Sequence, residues 1–396
     1  MLLSSRVLPG RVSLDCISPG RISTGRVSFG LFSLGLISVG LLSASLVSAQ
    51  APAAAPQSNP TLAPRPANDT STPATEGSML LNVVVTDKGG KNVPGLGVGD
   101  FQLLDNGRPM QILSFKAFGG SAASAQPPAT VIIVFDTVNM PFESVSYTRE
   151  QVGNFLRQNG GHLDFPVALA FLTNTGIQMQ SAPVTDGNAL AQHLDDTTGN
   201  LRTIGNAAGA WGEIERFNFG VKMLATLVES IKDKPGRKLL IWAGPGWPLL
   251  SNPAITYSFK VQKQFFDSIV SLNGMLRGGQ IELSSVSQGM PGEGTFLYES
   301  YLKGVKKPNQ AMPPNLGLKV MAQQSGGRVV PPGNDVAGAI TSVVQDAGIY
   351  YQITYEPPKP DGPNDYHELK VKVNQPGLTA RTNAGYYGQP QQLSTQ

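Results

Sequence analysis

The sequence predicts an α/β protein in which a doubly wound, mostly parallel sheet is inserted in a small antiparallel β-sandwich-like module. Three observations carry that expectation. Between residues 128 and 347, buried-strand runs such as "TVIIVFD" and "RKLLIWA" alternate with amphipathic helical stretches, the pattern of a parallel sheet covered on both faces. On either side, residues 78–118 and 348–388 change to short alternating strands separated by turn signals such as "DKGG" and "DNGR". Neither flank has enough strands for a core of its own, so pairing between the two would supply the edges each lacks.

The chain has 396 residues, enough for two sizeable cores, and its 40% apolar and 14% charged content is that of a packed protein. The pI near 8.8 points toward a polyanion, but the charge is unevenly placed. Arg6, Arg11, Arg21 and Arg26 stand against Asp15 in residues 1–49, and the rest of the chain carries 26 basic and 26 acidic residues. The body is neutral, which excludes nucleic acid as the expected partner.

Residues 1–49 read as an export signal. Residues 29–49, "FGLFSLGLISVGLLSASLVSA", carry no charge, follow the four arginines, and end in small residues that fit cleavage after Ala49. The run is also long enough to stay as an anchor; its glycines and serines and the tract after it favour cleavage. The leader repeats with period five ("RISTG RVSFG LFSLG LISVG"), for which there is no physical account. Cys16, the sole cysteine, lies in it, so the mature chain needs no disulfide. The protein is therefore expected outside the cytoplasm, in the periplasm, at the surface or secreted, and not integral to the membrane after cleavage.

Residues 50–77 are Pro/Ala/Ser/Thr-rich and read as a tether. The first β unit follows, with strands over Leu81–Thr86, Phe101–Leu104 and Met110–Phe115. In the α/β region the strands are "TVIIVFD", "FPVALAFLT", an edge strand "GIQMQSA", "RKLLIWA", "QIELSSVS" and "RVV". Helices are expected at 142–158, over "DGNALAQHLDD", over "GEIERFNFGVKMLATLVESIKD", at 256–273, over "NLGLKVMAQQ" and over "NDVAGAITSVVQDA". The last strands are "IYYQITYEP", "YHELKVKVN" and "LTARTNAGYY", with 389–396 a tail.

The stretches "VVVTDKGGKNVPGLGVGDFQLLDNGRPMQILSF", "VIIVFDTVN", "KPGRKLLIWAGPGWP", "LKVMAQQSGGRVV" and "IYYQITYEPP…YHELKVKVN…ARTNAGYY" occur in that order. In this the chain resembles the von Willebrand factor A-related family of exported bacterial proteins abundant in acidobacteria, over residues 80–388. The resemblance implies an A-type domain in a binding protein with no known catalysis. Such domains hold Mg²⁺ through a D-x-S-x-S motif, a loop Thr and a second Asp, leaving one position for a partner's carboxylate. Asp136 matches the first position, but Val138 and Met140 stand where the serines should be, and Gly244-Pro245-Gly246 replaces the loop of the second Asp. Thr203 is a loose match for the loop Thr, and Asn139 could add an oxygen. A degenerate site follows: Asp136, Asn139 and Thr203 are the candidate metal ligands, and the alternative is that Asp136 caps its loop by accepting backbone N–H bonds. No cofactor is expected, Mg²⁺ being the single candidate.

Other motifs give less. His162, His193 and His367 have no metal spacing and read as surface or interface histidines. "GLGVGD" lacks the third glycine and the helix of a phosphate loop and reads as a turn. Arg237 and Lys238 in "PGRK" read as a solvated strand start. In "WAGPGWPLL", Trp247 is either a partner anchor or a lid packed on the sheet, with Pro245 and Met140 completing an apolar rim. The expectation is an exported, non-catalytic binding, adhesion or scaffold protein with a protein partner in the envelope or extracellular space, acting at the domain rim. The alternatives are a periplasmic enzyme using Asp136 or an envelope assembly component.

Overall fold

A computed structural model describes residues 70–71, 77–119, 129–198, 209–250, 255–289 and 298–389. The leader, most of the 50–77 stretch, Thr203 and nearly all of the tail lie outside the described residues. Among the described residues the chain is mixed α/β with three sheets. Its elements begin with β1 (Thr70–Ser71), β2 (Met79–Thr86), β3 (Phe101–Asp105), β4 (Arg108–Met110) and β5 (Ile112–Phe118). Then come β6 (Ala129–Asp136), α1 (Phe142–Leu156), β7 (His162–Thr173), β8 (Gly176–Met179), β9 (Val184–Asp186), α2 (Gly187–Thr198) and α3 (Gly209–Ile231). After these are β10 (Arg237–Ala243), α4 (Phe259–Gly278), β11 (Ile281–Val286), α5 (Leu318–Gln324) and α6 (Val336–Val344). The chain closes with β12 (Tyr350–Tyr355), β13 (Asp365–Val373), β14 (Thr379–Arg381) and β15 (Gly385–Gly388).

The central sheet has the order β11-β10-β6-β7-β8. β11, β10, β6 and β7 are parallel, whereas β8 and the short β9 run antiparallel to β7. β6 and β10 are sequences of Val, Ile, Leu and aromatic residues because both of their faces are covered. One face of Val131, Ile133, Phe135, Leu239 and Ile241 packs with Val145, Val152 and Phe155 of α1, Leu190 and Leu194 of α2 and Ile340 of α6. "RVV" forms a single bridge from Val329 to Ser285 rather than a strand, and α4 starts and ends a few residues later than its apolar pattern suggests.

The two β regions share two further sheets, β1-β5-β12-β2-β14 and β15-β13-β3-β4. β12 lies between β2 and β5, and β13 pairs with β3, so both sheets join residues from opposite ends of the chain. Their inner faces interdigitate, Leu81, Val83, Phe115 and Ile353 from one against Phe101, Leu103, Leu369 and Val371 from the other. The stretch expected as a tether contributes to this: Thr70 and Ser71 pair with Phe115 and Ser114.

The strand start expected to be solvated is buried. Arg237 is 0% exposed and makes a bidentate ion pair with Glu282, through Nε to Oε1 at 2.7 Å and Nη2 to Oε2 at 2.6 Å. Its Nη1 donates to the Asp346 carbonyl, and the guanidinium lies 4.2 Å from the centre of the Tyr350 ring. Burial pushes the Tyr350 phenol up to about 12, with Arg237 pulling the other way. The Asp346 carboxylate in turn takes Arg381 of β14 and Asn92. A guanidinium is tolerated there because each of its three nitrogens donates to a partner and one face lies over the Tyr350 ring. Lys238 is likewise buried, its ammonium held by the carbonyls of Gly236 and Gly279 at 2.9 and 2.7 Å. His367, expected at a surface or an interface, is 4% exposed on β13. Its Nδ1 lies 2.7 Å from Asp105, which also accepts from Tyr355 and Tyr386 at 3.1 and 2.9 Å.

Candidate functional site

Ligands of parallel α/β sheets bind at the carboxyl ends of the strands, where loops rather than helices cover the sheet. β6 and β10 end there side by side, with Phe135 paired to Ala243. Asp136 is the last residue of β6 and is completely buried. Its Oδ1 accepts from the backbone N–H of Val138 at 3.0 Å and of Asn139 at 3.1 Å, and from Asn139 Nδ2 at 3.2 Å. Its Oδ2 accepts from Asn139 Nδ2 at 2.9 Å and from Trp242 Nε1, on the neighbouring strand, at 2.9 Å. Thr137 ties the same loop to β7 by donating its hydroxyl to Leu172 O at 2.7 Å.

The electrostatics of the carboxyl group follow from this shell. Burial pushes its pKa up from the ordinary carboxylate value, and the hydrogen bonds from Asn139, Trp242 and Val138 oppose that rise in part. The side chains that hydrogen-bond to it, Asn139 and Trp242, do not titrate. Gly244, with φ of 151°, passes so close that a Cβ there would lie 2.8 Å from the Asp136 Cβ. A divalent cation of the hard type takes oxygen lone pairs, and the groups converging on Asp136 are N–H donors. Val138 and Met140, at two of the ligand positions that the family resemblance marks, are buried apolar side chains, 2% and 5% exposed. Among the described residues the oxygen beside Asp136 that is buried without a hydrogen-bond partner is Asn139 Oδ1, so the described part of the site offers one carboxylate and one neutral oxygen, short of the set a hard cation takes. No group of three or more His, Cys, Asp or Glu side chains gathers as a metal set among the described residues.

The residues expected to line an apolar partner surface take different places. Trp247 is 5% exposed. Its indole donates to Leu316 O at 3.0 Å, meets Trp242 edge-on at 5.4 Å, and presses on Gly220 of α3, where a Cβ would lie 2.5 Å from the ring. It is a lid packed on the sheet, not a presented anchor, because the missing Cβ of Gly220 lets the ring lie against α3. Met140 is also inside, its sulfur accepting from Thr148 Oγ1 at 3.4 Å. Pro245 is half-buried between Gly244 and Gly246, whose φ of 74° turns the chain over Leu318.

The apolar groups that do face solvent were not singled out by the sequence. Phe142 at 66%, Ile255 at 47%, Phe259 at 64% and Leu80 at 37% are the large exposed hydrophobic residues among those described. Phe142 opens α1, directly after the Asp136 loop, and Phe259 opens α4. α4 spans about 30 Å at the helical rise and ends at Gly278, beside the amino end of β11, so its start lies toward the carboxyl rim. Phe142 stands three residues ahead of buried Val145 in α1 and Phe259 seven residues ahead of buried Phe266 in α4, so each continues its helix's apolar stripe. A sequence pattern cannot say where along a stripe the sheet beneath it stops.

No family model and no curated protein matches the chain. Among solved structures, the human COPII-coat protein Sec24c is similar at 8% identity, with 70% of this chain and 47% of that one covered and a TM-score of 0.31. The pilus adhesin SpaC from Lactobacillus rhamnosus GG, in its open conformation, gives 12% identity, 75% and 50% coverage and a TM-score of 0.31. The manganese-loaded TRAP protein of Plasmodium vivax gives 9%, 66% and 94%, and 0.30. The chain spans about half the length of the first two. At these scores the likeness assigns neither a family nor an activity.

Proposed function

We propose that this chain is an exported, non-catalytic protein-binding or scaffold module. In this reading the central sheet is a doubly wound von Willebrand factor A-type domain inserted in the sandwich, and binding occurs at its carboxyl rim without a divalent metal. The observation that carries the reading is the placing of Phe142, Ile255 and Phe259, three of the four large hydrophobic residues exposed among those described, on the segments that follow β6 and β10. Exposed aromatic residues at the starts of helices along one rim of a sheet favour a protein contact. Catalysis at Asp136 would need a second acid, base or nucleophile beside it, and its neighbours are Val138, Asn139 and Trp242. Export is supported by the uncharged run before Ala49, and no helix among the described residues is long and apolar enough to cross a membrane.

The test is photo-crosslinking of the full chain in envelope extract, for wild type and for Phe142→Ser/Phe259→Ser, with and without EDTA. The expected result is a discrete adduct that survives EDTA and is lost in the double variant. An adduct abolished by EDTA, or one unchanged in the double variant, would overturn the reading.

A further inference from the structure

We propose that the rim also mates with a second copy of this chain, in a two-fold arrangement that sets Phe142–Glu143 of one copy against Phe259–Lys260 of the other. The inference rests on the rim being a contact surface and adds the identity of one partner.

Two helices open at this end of the domain with the same arrangement and opposite charge. α1 begins with exposed Phe142 followed by exposed Glu143, and α4 begins with exposed Phe259 followed by exposed Lys260. Among the described residues, neither Glu143 nor Lys260 has an ion-pair partner within the chain. A two-fold interface requires that if patch i meets patch j, then j meets i, so a surface carrying both halves of a complementary pair satisfies the symmetry by itself. Here each aromatic meets an aromatic and each charge meets its opposite, twice per dimer.

The starts of the helices add a second reason for the pairing. The N-cap residue of α4, Ser258, makes no side-chain capping bond to the N–H groups of that helix's first turn. In α1 the acid Glu143 sits favourably in the first turn, whereas in α4 the cation Lys260 opposes the positive end of the helix dipole. A carboxylate arriving from outside at the start of α4 is attracted by both the ammonium and the N–H groups, and Glu143 of a second copy supplies it. The phenylalanines provide the apolar area, and the charges set the register and suppress the like-to-like alignment.

The experiment is sedimentation of the full chain at increasing concentration, with circular dichroism to confirm that each variant folds. Wild type should form a dimer. Glu143→Lys and Lys260→Glu should each raise Kd about tenfold or more, because each brings like charges together at both contacts. Mixing the two single variants in equal amounts should restore a heterodimer, since every contact then pairs opposite charges again, and the doubly reversed chain should dimerise alone. A wild type that stays monomeric, single reversals that dimerise as wild type, or a mixture that does not associate would overturn the proposal. The crosslinking of a different partner through Phe142 and Phe259 reads separately, so loss of self-association leaves that reading intact.

Discussion

Trp242 on β10 donates its indole N–H to Asp136 on β6 at 2.9 Å, and both residues are completely buried. The bond crosses two parallel strands at the rim and turns an acid that ends a strand into the anchor of its own loop. Trp242 then meets Trp247, which is bonded to Leu316 and seated on Gly220. The rim is held from below by aromatic packing.

Asp136→Ala should therefore cost more than the loss of an ordinary helix cap. It would leave the buried Trp242 N–H and the N–H groups of Val138 and Asn139 without their acceptor, and each unsatisfied buried donor costs about 1–3 kcal/mol. After partial rehydration a loss of about 3 kcal/mol is expected, against about 0.5–2 kcal/mol for a cap. Urea denaturation of wild type and variant measures it, and a loss below 1 kcal/mol would show that the donors find other acceptors.

The pH dependence has a defined sign. Because burial raises the folded pKa of Asp136, the folded chain holds this proton more tightly than the unfolded chain between the ordinary carboxylate value and the raised one. Stability contributed by Asp136 is then present at low pH and falls as pH rises through that interval. The difference in unfolding free energy between wild type and Asp136→Asn should decline from pH 4 upward and then level off. A difference that grows with pH would mean that the N–H donors outweigh burial.

Metal should leave the protein unmoved. Thermal melts in millimolar Mg²⁺ or Mn²⁺ and in EDTA should coincide, since a ligand stabilises only by binding the folded state preferentially. A rise of several degrees in wild type that disappears in Asp136→Ala would establish coordination at this carboxylate.

Gly220→Ala tests the seat of Trp247. The added Cβ would lie 2.5 Å from the indole, and overpacking of this kind costs about 1–3 kcal/mol. Tryptophan emission should shift to the red as the ring is displaced toward solvent. An unchanged spectrum and melting temperature would show that the slot has slack.

Arg237→Ala should be among the most damaging substitutions, about 3–5 kcal/mol, because it strands Glu282 beside the sandwich. Arg237→Met/Glu282→Leu should recover most of that loss, since both charges leave together. A double-mutant cycle reads the coupling, and additive losses would refute a direct pair.

Some of this was legible and some was not. The strand ending at Asp136, the alternation of strands and helices, and the turn at Gly244–Gly246 follow from local periods and from glycine's access to positive φ. The capping role of Asp136 was one of two open readings. Its decisive partner, Trp242, stands 106 positions away, and no local pattern links them. Arg237 and Lys238 read as solvated and are buried, because charge predicts exposure only while the partner is unknown, and His367 is buried too. Glu282 and Asp105 make their burial tolerable, and both come from other strands.

The sequence by itself determined what short-range chemistry controls: which segments become strands or helices, where the chain turns, and that an acid ends the first strand of the central sheet. Only the tertiary structure decided which polar groups are satisfied and which apolar ones remain in water. Those outcomes depend on neighbours brought together by sheet order. Trp247 was withdrawn into a slot made by Gly220, and Phe142 and Phe259 were left exposed at the starts of their helices, because burial belongs to the assembled surface and not to the residue.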